Sequence, residues 1–172
     1  MLEVVADRGL EALSVREVAT ATGVSIGTVQ HYFPTKDAMF AAAFDEVVGR
    51  VRVRVAGVRL GANIRGNLAV VLRELLPLDD QRAAEARIQL AFSARAAVSA
   101  DLAAIQRDLL DGMIDELGGA FKAAGQSPTA ARISARLALA ATDGIAQHAV
   151  STGDLSGRQQ TATLDRLLHL LC

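Results

Sequence analysis

Cysteine, proline and aromatic residues are scarce in this chain of 172 residues. The one cysteine, Cys172, has no partner in the chain for a disulfide or a thiolate metal site, so we expect a reducing, cytoplasmic setting. Three prolines and an aromatic content of 3%, set among abundant alanine and leucine, favour an all-α fold. No apolar run approaches the roughly 20 residues of a membrane-spanning helix, and no signal peptide is apparent.

An excess of charge of either sign is also missing. The formal net charge is −1. Residues 1–60 carry seven acidic and seven basic side chains. This balance excludes a uniformly basic surface for nonspecific binding of nucleic acid, but it leaves room for a small DNA-binding patch.

Capping residues and glycines predict nine helices. Ser14 and Glu17 have the spacing of a capping box, and Gly23 ends the helix that Ser14 opens. Ser25 caps the next helix, and Pro34 ends it. The predicted helices cover residues 1–8, 15–22, 26–32, 36–58, 67–76, 80–98, 100–124, 128–150 and 157–171.

One segment has two possible secondary structures. Residues 50–55 alternate arginine and valine, which taken alone suits a strand. Valines at 47, 51, 55 and 58 also suit one face of a helix. We expect the helix, because a lone strand has no sheet to join.

The segment 14–33 is the most informative part of the chain. Two short helices joined by a glycine turn are typical of a helix-turn-helix, whose second helix enters the major groove of DNA. Ile26, Val29 and Phe33 are spaced to form an apolar side of that helix, packing against Val18, Ala19 and Val24. The candidate DNA-binding residues are Ser14, Arg16, Gly27, Thr28, Gln30, His31, Tyr32 and Lys36.

These residue types have suitable chemistry for DNA. Gly27 lets the backbone approach a phosphate, and Thr28 can bind a phosphate or contact a thymine methyl group. Gln30 is a suitable bidentate partner for adenine. Lys36 begins a helix, where its ammonium and the helix dipole both favour an anion. The same pattern also occurs in plain helical bundles with a solvated polar face.

The motif resembles the signature of the tetracycline-repressor (TetR) family of bacterial transcriptional regulators. The resemblance covers residues 2 to about 46, and its residues are Gly9, Ser14-Val15-Arg16-Glu17-Val18-Ala19, Gly23-Val24-Ser25, Gly27-Thr28-Val29, His31-Tyr32-Phe33 and Lys36. It implies a helix-turn-helix domain at 1–46 and a ligand-binding and dimerisation domain at 47–172. It also implies a homodimer that binds a palindromic operator, and a pocket for an inducer.

Within the motif, Thr28, His31, Tyr32 and Lys36 match positions that contact DNA in the family. Gln30 stands where many members carry tyrosine, which implies a role in choosing the sequence that is bound. Members usually have several more residues at the start of the first helix, often preceded by a short basic arm. Contacts from such an arm are therefore left open here.

The remaining helices offer candidates for a ligand site and a dimer surface. Large apolar residues and polar residues within apolar helices give the ligand candidates Gln89, Phe92, Met113, Leu117, Phe121, Asp143, Gln147 and His148. Stripes of small residues and leucines on the last two helices give the dimer candidates Ala135, Ala138, Thr142, Ile145, Leu164 and Leu168. Packing within one subunit is the alternative for both sets.

We thus expect a ligand-responsive regulator, most simply a repressor released from its operator by a small, largely apolar molecule. Its partners are then double-stranded DNA, the effector and a second copy of the chain, with no membrane, metal or cofactor. Two alternatives stay open. One is a helical interaction module that does not bind DNA, and the other is a helical enzyme using Asp143 and His148. The enzyme has less support, because no nucleophile motif or carboxylate cluster accompanies those two residues.

Overall fold

The computed structural model describes residues 14–172, which contain eight helices. In chain order they are α1 (Val15–Thr22), α2 (Ile26–Tyr32), α3 (Lys36–Ala56), α4 (Ile64–Arg73), α5 (Asp80–Ala96), α6 (Ala100–Ala123), α7 (Pro128–Thr152) and α8 (Gly157–Leu171). The helix predicted at residues 1–8 lies outside the described residues. Within residues 14–172 no helix is long and apolar enough to cross a membrane.

The predicted caps position the first three of these helices. The Ser14 hydroxyl accepts a hydrogen bond from the Glu17 amide at 3.2 Å, and Thr35 accepts from the Ala38 amide at 3.0 Å. Gly23 ends α1 with a φ of 70°, a left-handed conformation that glycine adopts without steric cost. These caps fix the turn between α1 and α2 and the sharp entry into α3.

Two helices test the sequence pattern, and the structure agrees with it in one and departs from it in the other. The segment 50–55 lies within α3, so the helical interpretation of the alternating arginines and valines is confirmed. Helix α4 begins at Ile64, three residues before the predicted start. The Asn63 side chain caps it by accepting from the Gly66 amide at 3.1 Å. Asn67 instead bonds both backbone groups of Gly61, which folds the preceding loop onto the helix.

The core consists of two clusters. The first joins the helix-turn-helix to the body of the protein, since Val18 and Val29 pack with residues of α3 and α5. Within it the rings of Phe44 on α3 and Phe92 on α5 stack with centroids 3.9 Å apart. The second cluster packs α4, α6, α7 and α8 together. Helix α3 therefore connects α1 and α2 to the larger helical body.

The predicted dimer residues lie in this second cluster or beside it, and that prediction is wrong. All six are buried inside the single chain: Ala135, Ala138, Thr142, Ile145, Leu164 and Leu168. Small residues on α7 let that helix approach α6 and α8 of the same subunit closely, so the packing they mediate is internal. These six residues therefore leave no exposed surface for a second copy of the chain.

Candidate DNA interface and ligand cavity

All eight candidate DNA-binding residues lie on the surface. Ser14, Arg16, Gly27, Thr28, Gln30, His31, Tyr32 and Lys36 are exposed. Tyr32 is the most prominent of the large side chains, with 71% of its surface exposed. Its ring meets that of His31 edge to face, with centroids 5.5 Å apart. A helix face that is polar, aromatic and open to solvent is thus present, and its contact with DNA stays a prediction.

The inner side of α2 is narrower than predicted. Val29 is buried and Phe33 is half-buried against the first core cluster, but Ile26 and Val24 are exposed. The helix has seven residues, which make about two turns in all, so only its middle and its end reach the core. The expectation that Ile26 and Val24 pack inside is wrong.

Two polar contacts fix the outer side of α2 and the start of α3. The Ser25 hydroxyl lies 2.8 Å from the Thr28 hydroxyl and accepts from the Thr28 amide at 3.0 Å. The Lys36 ammonium lies 5.4 Å from the centre of the Phe40 ring, within reach of a cation–π interaction. Thr28 and Lys36 are therefore held in defined positions on either side of the Pro34 turn.

The residue after Lys36 ties α3 to the C-terminal end of α5. Arg95 donates from Nε to Oδ1 of Asp37 at 2.9 Å, and the Ser99 hydroxyl donates to Oδ2 at 2.9 Å. The hydrogen bonds from Arg95 and then Ser99 hold the pKa of the Asp37 carboxyl below its usual value. Ser99 precedes α6 but makes no capping hydrogen bond to it, because its hydroxyl is hydrogen-bonded to Asp37 instead.

A cavity of about 490 Å³ lies between α3, α4, α5, α6 and α7. Its walls are mostly aliphatic. Val47, Val51 and Val55 present the α3 wall, and Met113 and Leu117 lie on the α6 wall. Its size is within the range of small-molecule sites.

Five of the eight predicted ligand residues line this cavity. They are Gln89, Met113, Leu117, Asp143 and Gln147. Phe92, Phe121 and His148 do not line it. Phe92 stacks on Phe44 in the core, and Phe121 is buried in the second cluster. His148 is exposed, because it follows Asp143 by five residues and so lies on another side of α7.

The most connected charged group beside the cavity is Arg54, which the sequence analysis did not single out. Its Nη1 and Nη2 donate to Oε1 and Oε2 of Glu85 at 3.1 and 2.7 Å, and its Nε donates to Glu74 at 3.2 Å. Arg54 also donates to the Glu74 carbonyl, so one guanidinium joins α3, α5 and the end of α4. The alternating pattern of residues 50–55 does not indicate which arginine forms these ion pairs, because the three arginines have equivalent places in the pattern.

Asp143 is different from these paired charges. It lies half-buried on α7 and faces the cavity, with Leu139 and Ala146 beside it on the wall. Among residues 14–172 no side chain or backbone group gives it a hydrogen bond or an ion pair. Burial therefore raises the pKa of its carboxyl to about 6.

Comparison with known proteins identifies the family of this chain. Residues 2–43 match the family model for bacterial regulatory proteins of the tetR family. Residues 64–172 match the model for the C-terminal domain of BetI-type transcriptional repressors. The chain belongs to the TetR family of bacterial transcriptional regulators. It is accordingly a TetR-family transcriptional regulator, and members of this family are not enzymes.

Individual relatives agree with this assignment. A transcriptional regulator from Rhodococcus sp. Rha1 of known structure is 38% identical, with a TM-score of 0.91 over 99% of this chain and 90% of that one. A putative transcriptional regulator from Saccharomonospora viridis, solved in complex with choline, shares the fold at 18% identity, with a TM-score of 0.85 over 98% of this chain and 93% of that one.

The transcriptional regulator PksA of Bacillus subtilis is 29% identical over 100 residues. That match covers 58% of this chain and 49% of the relative, so the chain spans about half the length of this curated relative.

Proposed function

We propose that this protein is a repressor that binds a palindromic operator as a homodimer and leaves it when a small molecule occupies the cavity. The observation that carries the proposal is the continuity of α3, which begins with Lys36 on the DNA face and presents Val47, Val51 and Val55 to the cavity. One helix thus belongs to both sites. The DNA-binding domain is proposed as residues 1–46 and the effector domain as 47–172, with α3 crossing between them. Because its target is the chromosome, the protein acts in the cytoplasm.

The DNA side of the proposal uses the exposed face of α2. Gln30 pairs with an adenine, while Thr28, His31 and Tyr32 contact phosphates or neighbouring base edges. Lys36 and the N-terminus of α3 bind a phosphate, and Ser14 and Arg16 hold the adjacent backbone. Gly27 adds no side chain between helix and phosphate. Base contacts from Gln30 supply sequence preference, and the phosphate contacts fix the register.

A homodimer places two such helices in successive major grooves, roughly 34 Å apart. The surface that we propose for the homodimer differs from the six predicted dimer residues, which are buried within the subunit. Ile133 and Leu137, one turn apart on α7, are 55% and 51% exposed, and Leu170 on α8 is 67% exposed. The Gln126 amide donates to the Leu171 carbonyl at 2.6 Å and accepts from the Ser134 hydroxyl at 2.8 Å, which brings the end of α8 beside the start of α7. The exposed apolar residues thus lie at one end of the subunit.

The effector side of the proposal uses the cavity, with Gln89, Met113, Leu117, Asp143 and Gln147 in its wall. Occupation has to favour one position of α3 over another, because only a difference in affinity between two states shifts their populations. A coupling of about 1–3 kcal/mol weakens DNA binding roughly 5- to 150-fold. The structurally similar Saccharomonospora protein holds choline, which shows that the fold accommodates a small organic molecule.

The test is fluorescence anisotropy with the promoter DNA nearest the gene of this protein. Replacing both Tyr32→Ala and Lys36→Ala removes one aromatic and one phosphate contact from each subunit, and we expect affinity to fall by at least about tenfold. Lys122→Ala is the matched control, because it removes the other lysine of the chain from an exposed position in the last turn of α6. Undiminished binding by the double variant would refute the assigned DNA face.

A further inference from the structure

The charges around the cavity do not balance. Glu74 and Glu85 are paired with Arg54, and Arg82 pairs with Asp79 and Glu74. Four other charged side chains line the cavity without an ion pair among the described residues: Arg52 on α3, Asp108 and Glu116 on α6, and Asp143 on α7. Three of these four are carboxylates, so the cavity carries an excess of negative charge.

Asp143 is the one of these four that lies inside rather than at the rim. Arg52, Asp108 and Glu116 are exposed, and water can solvate them. Asp143 is half-buried between aliphatic walls and lacks a partner within residues 14–172. Its neighbour Thr142 is satisfied, since that hydroxyl donates to the Ala138 carbonyl at 2.7 Å. A carboxylate in such a place is normally paired, and none of the residues 14–172 supplies a partner.

The missing partner is a cation, because the carboxyl is still mostly ionised at neutral pH. Burial raises its pKa to about 6, which leaves it charged at pH 7.5 but poorly solvated. A ligand that brings a positive group to Asp143 converts this unfavourable burial into a charge-assisted hydrogen bond. The rest of the wall, with Val51, Met113 and Leu117, requires that the ligand body be apolar.

The composition of the wall also bears on the kind of cation. Among the residues that the structure describes, no phenylalanine, tyrosine or tryptophan lines this cavity. Recognition of quaternary ammonium groups relies on aromatic faces, and that mode is absent from the lining. A protonated amine has N–H donors that a carboxylate can accept directly. The lining therefore favours an amine that carries protons over a quaternary ammonium.

We propose that the effector is a protonated alkylamine whose ammonium group pairs with Asp143 and whose apolar body fills the cavity between α3 and α6. The inference rests on the proposed function, since it names the class of molecule that acts at the effector site. It differs from the sequence-based expectation of a largely apolar effector by assigning one positive charge and the residue that recognises it.

The experiment compares four probes of one chain length by titration calorimetry at pH 7.5 on the full chain without DNA. They are octylamine, octan-1-ol, octanoate and octyltrimethylammonium. We expect octylamine to bind at least about tenfold more tightly than each of the others, because only it combines charge with N–H donors. Equal or tighter binding of any other probe would overturn the proposal, as would the absence of binding by all four.

Two variants tie the preference to Asp143. Asp143→Asn keeps the shape and removes the charge, and we expect octylamine affinity to fall at least about tenfold while octan-1-ol affinity changes little. Asp45→Asn, an exposed carboxylate on α3 away from the cavity lining, is the control and should leave octylamine affinity unchanged. Unchanged octylamine binding by Asp143→Asn refutes the assignment. Thermal melting of each variant shows that it is folded.

The same preparations are tested for binding to the promoter DNA. A protein that binds the DNA but shows no preference for octylamine refutes this inference and leaves the proposed function standing. A protein that prefers octylamine but binds no DNA refutes the proposed function instead. The two failures are therefore distinguished by one pair of measurements.

Discussion

Arg95 at the end of α5 and Asp37 in the first turn of α3 form a hydrogen-bonded ion pair at 2.9 Å, one residue away from Lys36 on the proposed DNA face. The same helix α5 carries Gln89 and Ser93 in the cavity wall. The pair thus connects a helix that lines the effector site with the residue next to a phosphate contact.

Arg95→Gln is expected to lower DNA affinity roughly 2- to 30-fold, the range for residues that couple sites without touching either ligand. The first turn of α3 loses its anchor, so Lys36 is held less well. Arg87→Gln, an exposed arginine on the same helix, is the control. Anisotropy with promoter DNA measures both variants, and equal affinities would show that the pair has no part in DNA binding.

Arg54→Ala is expected to lower the free energy of unfolding by about 2–4 kcal/mol, because it leaves the buried Glu85 carboxylate without its cation, while Glu74 keeps Arg82. The Glu85 side chain is 6% exposed and that of Arg54 is 24% exposed, so water compensates little. Arg50→Ala lies one turn away on the same helix and breaks an exposed pair with Glu46, which is expected to cost at most about 0.5 kcal/mol. Urea unfolding distinguishes the two, and similar losses would contradict the account.

Asp143→Asn is expected to stabilise the ligand-free protein at pH 7.5 by about 1–3 kcal/mol, since it removes a poorly solvated charge. The sign follows from the raised pKa of about 6. Between roughly pH 4 and pH 6 the folded protein keeps the proton that the unfolded chain has lost, so the stability of the wild type falls as pH rises through that window.

Chemical denaturation at pH 4.5 and pH 7.5 checks this prediction. The advantage of Asp143→Asn over the wild type should grow between the two values, while that of Asp45→Asn should not. An advantage that is absent at pH 7.5 would show that the Asp143 carboxyl is well solvated. A gain in stability combined with a loss of octylamine binding would mark Asp143 as retained for recognition rather than for folding.

Leu137→Arg is expected to weaken self-association at least about tenfold, because it places a charge within the proposed apolar surface on α7 and α8. DNA affinity should fall with it, since two linked half-sites bind more tightly than one. Leu60→Arg is the control, because Leu60 is also exposed but lies in the loop before α4. Sedimentation velocity gives the oligomeric state, and an unaffected dimer would exclude this surface.

Local signals in the sequence were enough for most of the fold. Ser14 and Ser25 cap helices as their spacing predicts, because a cap depends on residues three positions away. The start of α4 was predicted three residues too late. The glycines before it favour a loop in the sequence pattern. In the structure Asn63 caps the helix, and Asn67 binds the backbone of the preceding loop.

The residues of the effector and dimer sites depend on which neighbour each side of a helix contacts. The periodicity of apolar residues shows that a helix has a buried side, but it does not show which helix packs against that side. The stripe through Ala138 and Thr142 has the spacing of an interface, and it is one, but between helices of a single subunit. By its sequence pattern Phe92 is compatible with the core as well as with the cavity, and in the structure it stacks on Phe44 in the core. Asp143, by contrast, was identifiable from sequence, because a carboxylate within an apolar helix needs an explanation.

The unbroken course of α3 has a geometrical consequence. Val51 in the cavity wall and Lys36 are fifteen residues apart on one helix, which corresponds to about 22 Å along its axis. A tilt of about 5° around the valine wall would move the far end by about 2 Å, which exceeds the range of about 0.5 Å in the N···O distance of a hydrogen bond. A ligand no larger than an alkylamine can therefore displace Lys36 by tilting α3 as a rigid helix, without any change of fold and without unfolding.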